Sequence, residues 1–261
     1  MDVYLPDNFV EIEMQVSLID HNLELMKKGF LQDAVIISKP ERAFVYGKQT
    51  SVNRIDLEKA RNDGIKISRA PIGSSKRIGV ICFSGEMWTF RWCFKGNQEE
   101  RNKALESKKL IAKEFYKLVG IEISEITTDI EVKGTEKKLS TFYFKDFPDK
   151  EMCFGGFGFN LNRGGLNFDD YISLPDSKFE GKECKTINER ITTISEEGNE
   201  LDDAGFLEVL KQAMTNAGVD YQIKELPEEV SNIVGKGIDK FSSKEWIEEG
   251  RKSNVKDYGK V

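Results

Sequence analysis

"DIEVKGTEKKLSTFYF", residues 129–144, is the stretch on which the reading of this chain turns. Two short β-rich runs, Asp129–Val132 and Leu139–Phe144, flank a turn at Gly134. Two lysines, Lys137 and Lys138, end that turn just where the chain becomes apolar. Turn lysines are ordinarily solvated charges. The alternative is that one ammonium points into a cleft and holds an anion there, which a low-dielectric setting would strengthen.

Working outward, "MCFGGFGFNLN" after this stretch and "IEISEIT" before it read as further strands. "EERNKALESKKLIAKEFYKLVG" reads as the clearest helix, with Leu105, Ile111, Phe115 and Leu118 on one face and Gly120 at its end. Nearer the N-terminus, Val10–Lys28 repeats Ile12, Val16, Ile19, Leu23 and Met26 at helical spacing, and Gly29 stops it. "DAVIIS", "RAFVYG", "IKISRAP" and the run around Gly85 are β-rich, and "RIDLEKARNDG" is a short helix between two of them. Late in the chain, "AGFLEVLKQAMTNAG" and "LPEEVSNIVGKGIDKF" are helical, with the strand-like "DYQIKEL" between them. The pattern is α+β: a mixed or antiparallel sheet with packed helices over residues 1–190, plus a small C-terminal α/β accessory domain at 195–261.

The 261 residues suffice for a large core, and 39% apolar with 32% charged residues is a globular composition. A net charge of −6 with both signs mixed gives no basic stripe for nucleic acid. No apolar run is long enough for a transmembrane helix, and no signal peptide is visible, so a cytoplasmic protein is expected. Cys82, Cys93, Cys153 and Cys184 form no CxxC pair, which argues against disulfides and a zinc site. His21 is the only histidine and lies off its helix's apolar stripe, as a surface residue would.

Four segments, in order, resemble the lipoate-protein ligase family, within the superfamily of biotin-protein ligases and lipoyl or octanoyl transferases. "FVYGKQTSVNRIDLEKARNDGIKISRAPIGSS" is similar to the family's strand, Gly-Arg-x-Gln turn, helix and Arg-Arg-Pro-Thr-Gly-Gly-Gly loop. "DIEVKGTEKKLS" resembles Asn-Asp-Ile…Gly-x-Lys-Ile-Ser, and "FGGFGFNLN" resembles the His-Gly-x-Leu-Leu-Leu-Asn strand. "YISLPDSKFEGKECKTINERITTISE" with "DKFSSKEWIEEGR" resembles the Pro-x-x-Lys…Ser-Val-x-x-Arg-Val-Thr segment and the Lys-Tyr-Ser-Ser-x-x-Trp ending.

The resemblance implies an enzyme that activates lipoate, octanoate or a related acid with ATP and Mg. The acyl group then passes to a lysine on a lipoyl carrier domain, that of a glycine cleavage H protein or a 2-oxoacid dehydrogenase acyltransferase. It implies a class II biotin/lipoyl-ligase-like fold and a monomer. Lys138 becomes the cation between carboxylate and α-phosphate, with Lys137 as the competitor in register. Asp129 becomes a contact to Mg or ribose. The small-residue turn of Gly73, Ser74 and Ser75, continuing to Gly79 and Val80, would bring N–H groups to an anion. Arg69 would fork onto carboxylate or phosphate. Ser140 follows Lys138 in the motif, and Gly155 and Gly156 would open the acyl slot, with Phe154, Phe157 and Phe159 as slot wall or core.

The chain also departs from the pattern. The second arginine is Ala70, two of the three glycines are Ser74 and Ser75, and Cys82 and Phe83 stand where the family has His-Asp. Aligning both flanks of the loop needs a short insertion within Ser-Ser-Lys-Arg. The histidine of the later strand is replaced by Phe154 or Gly155. Two other functions therefore stay open: a degenerate homologue that binds lipoyl or acyl groups without catalysis, and an ATP-independent acyltransferase using a Cys153 thioester. The second needs a thiol activated by a neighbouring lysine.

Overall fold

The computed structural model describes residues 1–6, 11–48, 50, 52–71, 80–174 and 179–249. In chain order the first half holds β1 (Asp2–Tyr4), α1 (Ile12–Lys27), β2 (Asp33–Ser38), β3 (Ala43–Tyr46), α2 (Leu57–Asn62), β4 (Lys66–Arg69), β5 (Val80–Phe83), β6 (Met87–Lys95) and α3 (Gln98–Leu118). The second half holds β7 (Asp129–Glu131), β8 (Lys138–Thr141), β9 (Tyr143–Phe147), β10 (Met152–Asn160), α4 (Ile187–Arg190), α5 (Asp203–Asn216), β11 (Gln222–Lys224), α6 (Glu228–Gly235) and α7 (Ile238–Ser242).

Among the described residues the strands make three sheets. The main one runs β11-β1-β2-β6-β10-β9, parallel across β11, β1 and β2 and antiparallel from there on. A second joins β4-β3-β5, and a third pairs β7 with β8. This is the α+β, mixed-sheet architecture expected of the sequence.

Strand alternation sorts the main sheet's side chains onto two cores. Phe90 and Trp92 of β6, with Phe157 and Phe159 of β10, face α3 and α5, where they meet Ile111, Phe115, Phe206 and Leu210. Their neighbours Cys93 and Phe154 face α1 and α6, with Leu18, Ile19, Val230 and Val234. Burying Phe115 completely stabilises the first core by about 2–3 kcal/mol. The second sheet packs on the N-terminal half of α1 through Ala43, Val45 and Phe83, which meet Ile12, Val16, Phe241 and Trp246.

Several boundaries differ from the sequence reading. α3 opens on a capping box of Asn97 and Glu100 and ends at the expected Gly120, in the left-handed region, but Leu118 is exposed. Its buried face is Ala104, Lys108, Ile111, Ala112 and Phe115. "IEISEIT" is no strand; only an Ile123–Val132 bridge forms there. "KLSTFYF" is two strands in two different sheets. Leu139 and Phe142 both enter the α3 core, and residues three apart cannot share a face of one regular strand, so the chain breaks between them.

The C-terminal segment is built into the same layers. β11 extends the main sheet beside β1, α5 covers α3, and α6 and α7 pack on α1. No helix among the described residues is long and apolar enough to cross a membrane.

Candidate functional site

The small sheet of β7 and β8 carries the opening stretch. Ile130 and Leu139 point into the α3 core. Alternation then sends Asp129, Glu131, Lys138 and Ser140 to the opposite side. β8 is fastened to the glycine strand at the point where β9 leaves it. Gly158 N–H donates to Ser140 Oγ at 2.8 Å, and Asn160 Nδ2 donates to the Leu139 carbonyl at 2.6 Å. Ser140 is thereby committed to holding β8 against β10.

Lys138 Nζ lies 2.8 Å from Asp129 Oδ1, and the two side chains are only 26% and 30% exposed. Lys137 points the other way, about half exposed, toward Glu197. Of the two lysines, Lys138 is the one that lies with Asp129 on the face of the small sheet turned from the core. Its carbonyl accepts from Thr192 N–H, and a bridge to Ile191 brings Arg190 alongside. The Arg190 guanidinium pairs with Glu131 and lies 3.7 Å from Asp129 Oδ2. Glu131 and Arg190 had no assigned role in the sequence. Glu131 was legible as the i+2 neighbour of Asp129, whereas Arg190 is 61 residues away and only the Lys138–Ile191 bridge unites them.

Lys138 is also close to the second sheet. Burial pushes the Cys82 thiol of β5 up to about 12, and the Lys138 charge opposes that rise. Val80 begins the same strand, half-buried opposite Tyr46. Gly73, Ser74, Ser75 and Gly79 lie outside the described residues.

The glycines of β10 face different ways. A Cβ on Gly155 would sit 2.7 Å from the Trp92 ring and 2.6 Å from the Tyr143 carbonyl, on the α3 side. A Cβ on Gly156 would meet the Tyr143 ring and hydroxyl, on the α1 side, and one on Gly158 would meet the Met87 thioether. The room these glycines leave holds Tyr143 and Met87 side chains. Tyr143 crosses Gly156 from β9 toward Arg91 of β6, which pairs with Gly156 from the other edge. Phe154, Phe157 and Phe159 are all buried core residues.

The structure sends Arg69 away from this cluster. Its Nε donates to the Ile247 carbonyl at 3.0 Å, and one terminal nitrogen donates to the carbonyls of Gly47, Lys48 and Thr50. Cys153 is fully buried on the α3 face, and burial with the nearby Asp146 charge pushes its thiol up to about 12. The cations near it are Arg101 and Lys108, with no contribution from Lys138.

Asp129 and Glu131 offer hard oxygen donors two residues apart. No group of three or more His, Cys, Asp or Glu able to hold a metal occurs among the described residues. Two carboxylates suit Mg²⁺ only as it usually binds, with water and substrate phosphates completing the shell.

By sequence, the chain matches no protein-family model and no curated protein. By structure it is similar to a bi-partite lipoate protein ligase of Thermoplasma acidophilum, with a TM-score of 0.74 over 97% of each chain at 15% identity. It is likewise similar to a lipoate-protein ligase A bound with ATP, with a TM-score of 0.70 over 96% of this chain and 99% of that one, at 14% identity. LipL1 of P. falciparum in complex with lipoate gives 0.67 over 95% of this chain and 74% of that one, at 17% identity. The chain has the fold of the lipoate-protein ligases.

Proposed function

We propose that this protein is a lipoate-protein ligase-like enzyme. It activates lipoate, octanoate or a related acid with ATP and transfers the acyl group to a carrier-domain lysine. The observation that carries this reading is Lys138: it is half-buried, lies on the face of β8 turned from the core, and is paired with the Asp129 carboxylate. Joining an acid to the α-phosphate of ATP brings two anions together. An ammonium between them offsets their repulsion and the charge that develops as the carboxylate oxygen attacks phosphorus and pyrophosphate leaves. Arg190 supplies a second cation beside it.

The solved relatives support the substrates. Solved structures of this fold hold lipoate in one case and ATP in another, and a third is a bi-partite ligase studied with its E2 lipoyl domain. In this reading Asp129 and Glu131 would hold Mg²⁺, whose charge would offset that of the phosphates, while Lys138 and Arg190 turn to the substrates. Residues 1–190 carry the acyl and nucleotide site, residues 195–261 form the accessory part, and the protein works as a cytoplasmic monomer.

The test is exchange of labelled pyrophosphate into ATP. The expected result is exchange that requires the acid and collapses in Lys138→Ala. Acid-independent exchange, or a variant as fast as the wild type, would overturn the reading. Acid binding without exchange would select the non-catalytic alternative. An acyl adduct on Cys153 after incubation with an acylated carrier would select the thioester alternative.

A further inference from the structure

The short turn that carries Arg190 is gripped by a second arginine, which takes no part in the charged cluster itself. Arg163 lies three residues beyond the end of β10, and its side chain is 19% exposed. Its Nε donates to Glu196 Oε1 at 2.6 Å, and one terminal nitrogen donates to Asn188 Oδ1 at 2.7 Å. The other terminal nitrogen donates to the backbone carbonyls of Asn188, at 2.8 Å, and of Ile191. The guanidinium carbon lies 5.7 Å from the centre of the Phe168 ring. One side chain thus holds both ends of residues 188–196.

The backbone explains why such a grip is needed. In a continuing α-helix the Asn188 carbonyl would accept from the N–H of Thr192, four residues on. Thr192 N–H instead donates to the Lys138 carbonyl at 2.9 Å, where Ile191 bridges to Lys138. α4 therefore stops at Arg190, and the Asn188 carbonyl loses its helical partner. A helix of this length has too few bonds of its own to fix its end in place. Arg163 takes up the released carbonyl together with that of Ile191. Downstream, the N–H groups of Ile194 and Ser195 donate to the carbonyls of Asn160 and Leu161. The chain is thereby tied to β8 and to the end of β10, and Arg190 projects from the tie point to within 3.7 Å of Asp129.

We infer that Arg163 is a positioning residue for acid activation: it holds the turn in the form that sets the Arg190 guanidinium beside Lys138. The inference rests on the acid-activating role proposed for Lys138 and Arg190. Without the Arg163 fork, the Asn188 carbonyl regains a partner most cheaply if the helix runs on and Thr192 N–H returns to it. That move unhooks Thr192 from Lys138 and turns Arg190, which lies between, away from Asp129 and Glu131. A displacement of about 1 Å at a group that must meet the reacting atoms costs on the order of 100-fold in rate. A lysine would substitute only in part, since one ammonium lacks the planar fork that serves Asn188, Ile191 and Glu196 together.

A double-mutant cycle on acid-dependent pyrophosphate exchange by the full chain, at saturating ATP and acid, tests it. Arg190→Gln is expected to slow exchange by on the order of 100-fold, and Arg163→Gln by about tenfold or more. Because Arg163 acts only through Arg190, the double variant should be no slower than Arg190→Gln alone, within about twofold. Arg163→Lys should fall between the wild type and Arg163→Gln. Should Arg163→Gln fail to fold, the cycle is run with Arg163→Lys in its place. Losses that multiply in the double variant mark a separate, merely structural role and overturn the inference. An Arg163→Gln or Arg190→Gln enzyme as fast as the wild type also overturns it, and leaves the ligase reading on Lys138 standing. Wild-type protein without acid-dependent exchange removes the ligase reading, and this inference falls with it.

Discussion

Lys138 and Asp129 stand 2.8 Å apart on adjacent strands, on the face of the small sheet that looks away from the core. A pair this exposed contributes about 1 kcal/mol or less to folding. It is strong enough to aim the ammonium and weak enough to be exchanged for a substrate anion. Lys138→Ala should therefore reduce acid-dependent exchange by about 100-fold or more, as loss of a transition-state cation does, while the melting temperature stays nearly unchanged. Lys137→Ala should leave both untouched, because Lys137 meets Glu197 on the outer surface. The paired exchange assays check this; equal losses in the two variants would refute the assignment.

The glycines of β10 give a graded prediction, because each Cβ would meet something different. Gly155 faces the Tyr143 carbonyl and the locked Trp92 ring, neither of which can give way. Gly155→Ala should cost about 2–3 kcal/mol or more, the overpacking range, lowering the melting temperature by roughly 5–10 °C. Gly158 faces the Met87 thioether, which has other rotamers, so Gly158→Ala should cost under about 1 kcal/mol. Gly156→Ala should fall between, since the Tyr143 ring can tilt but the Phe90 carbonyl cannot. Thermal melts of the three variants test the order; a Gly158 variant as damaged as Gly155 would contradict it.

The sequence made the elements legible and left their assembly open. Helix ends with glycines in the left-handed region, at Gly29 and Gly120, were readable because only glycine takes that backbone cheaply. Lys138 was readable because a lysine sits awkwardly at the mouth of an apolar strand. The break at Phe142 was not, because it comes from two residues competing for one core. Arg190 reaches Asp129 only through strand pairing across a long loop, which local pattern does not encode. Arg91 looked like any arginine in a strand; its burial depends on α1 covering that face.

Burial of thiols makes stability depend on pH in the alkaline range. The thiols of Cys82 and Cys153 are both pushed up to about 12, and Cys93 is raised as well. In the unfolded chain they ionise near 8.5. Above that pH the unfolded state sheds protons that the folded state keeps. Their contribution is thus full below about pH 8.5 and is lost as pH rises toward the folded values, by at most about 1.4 kcal/mol per unit for each thiol. Urea midpoints should fall steadily from pH 8.5 to 10.5, and Cys153→Ala should make that fall shallower. A midpoint flat across this range would show that the thiols ionise freely in the folded protein.

Arg69 separates a structural role from a ligand-binding one. It stands just ahead of the Pro71 turn, where an anion-binding arginine was expected, yet its Nε and one terminal nitrogen donate to carbonyls from two segments. Trp246 Nε1 donates back to the Arg69 carbonyl at 2.7 Å, and the Tyr46 ring lies 5.0 Å from the guanidinium. The arginine fastens the C-terminal turn at 245–249 onto β4. Arg69→Lys should then destabilise by about 2–4 kcal/mol, because one ammonium cannot replace a fork that reaches both segments and the carbonyls left behind are desolvated. Trp246→Phe should weaken the same contact by about 1–2 kcal/mol. Hydrogen exchange should quicken first at residues 238–249 in both variants. If Arg69 instead binds the acid or a phosphate, Arg69→Lys will raise the KM for one substrate while the melting temperature and the exchange of the C-terminal turn stay as they are.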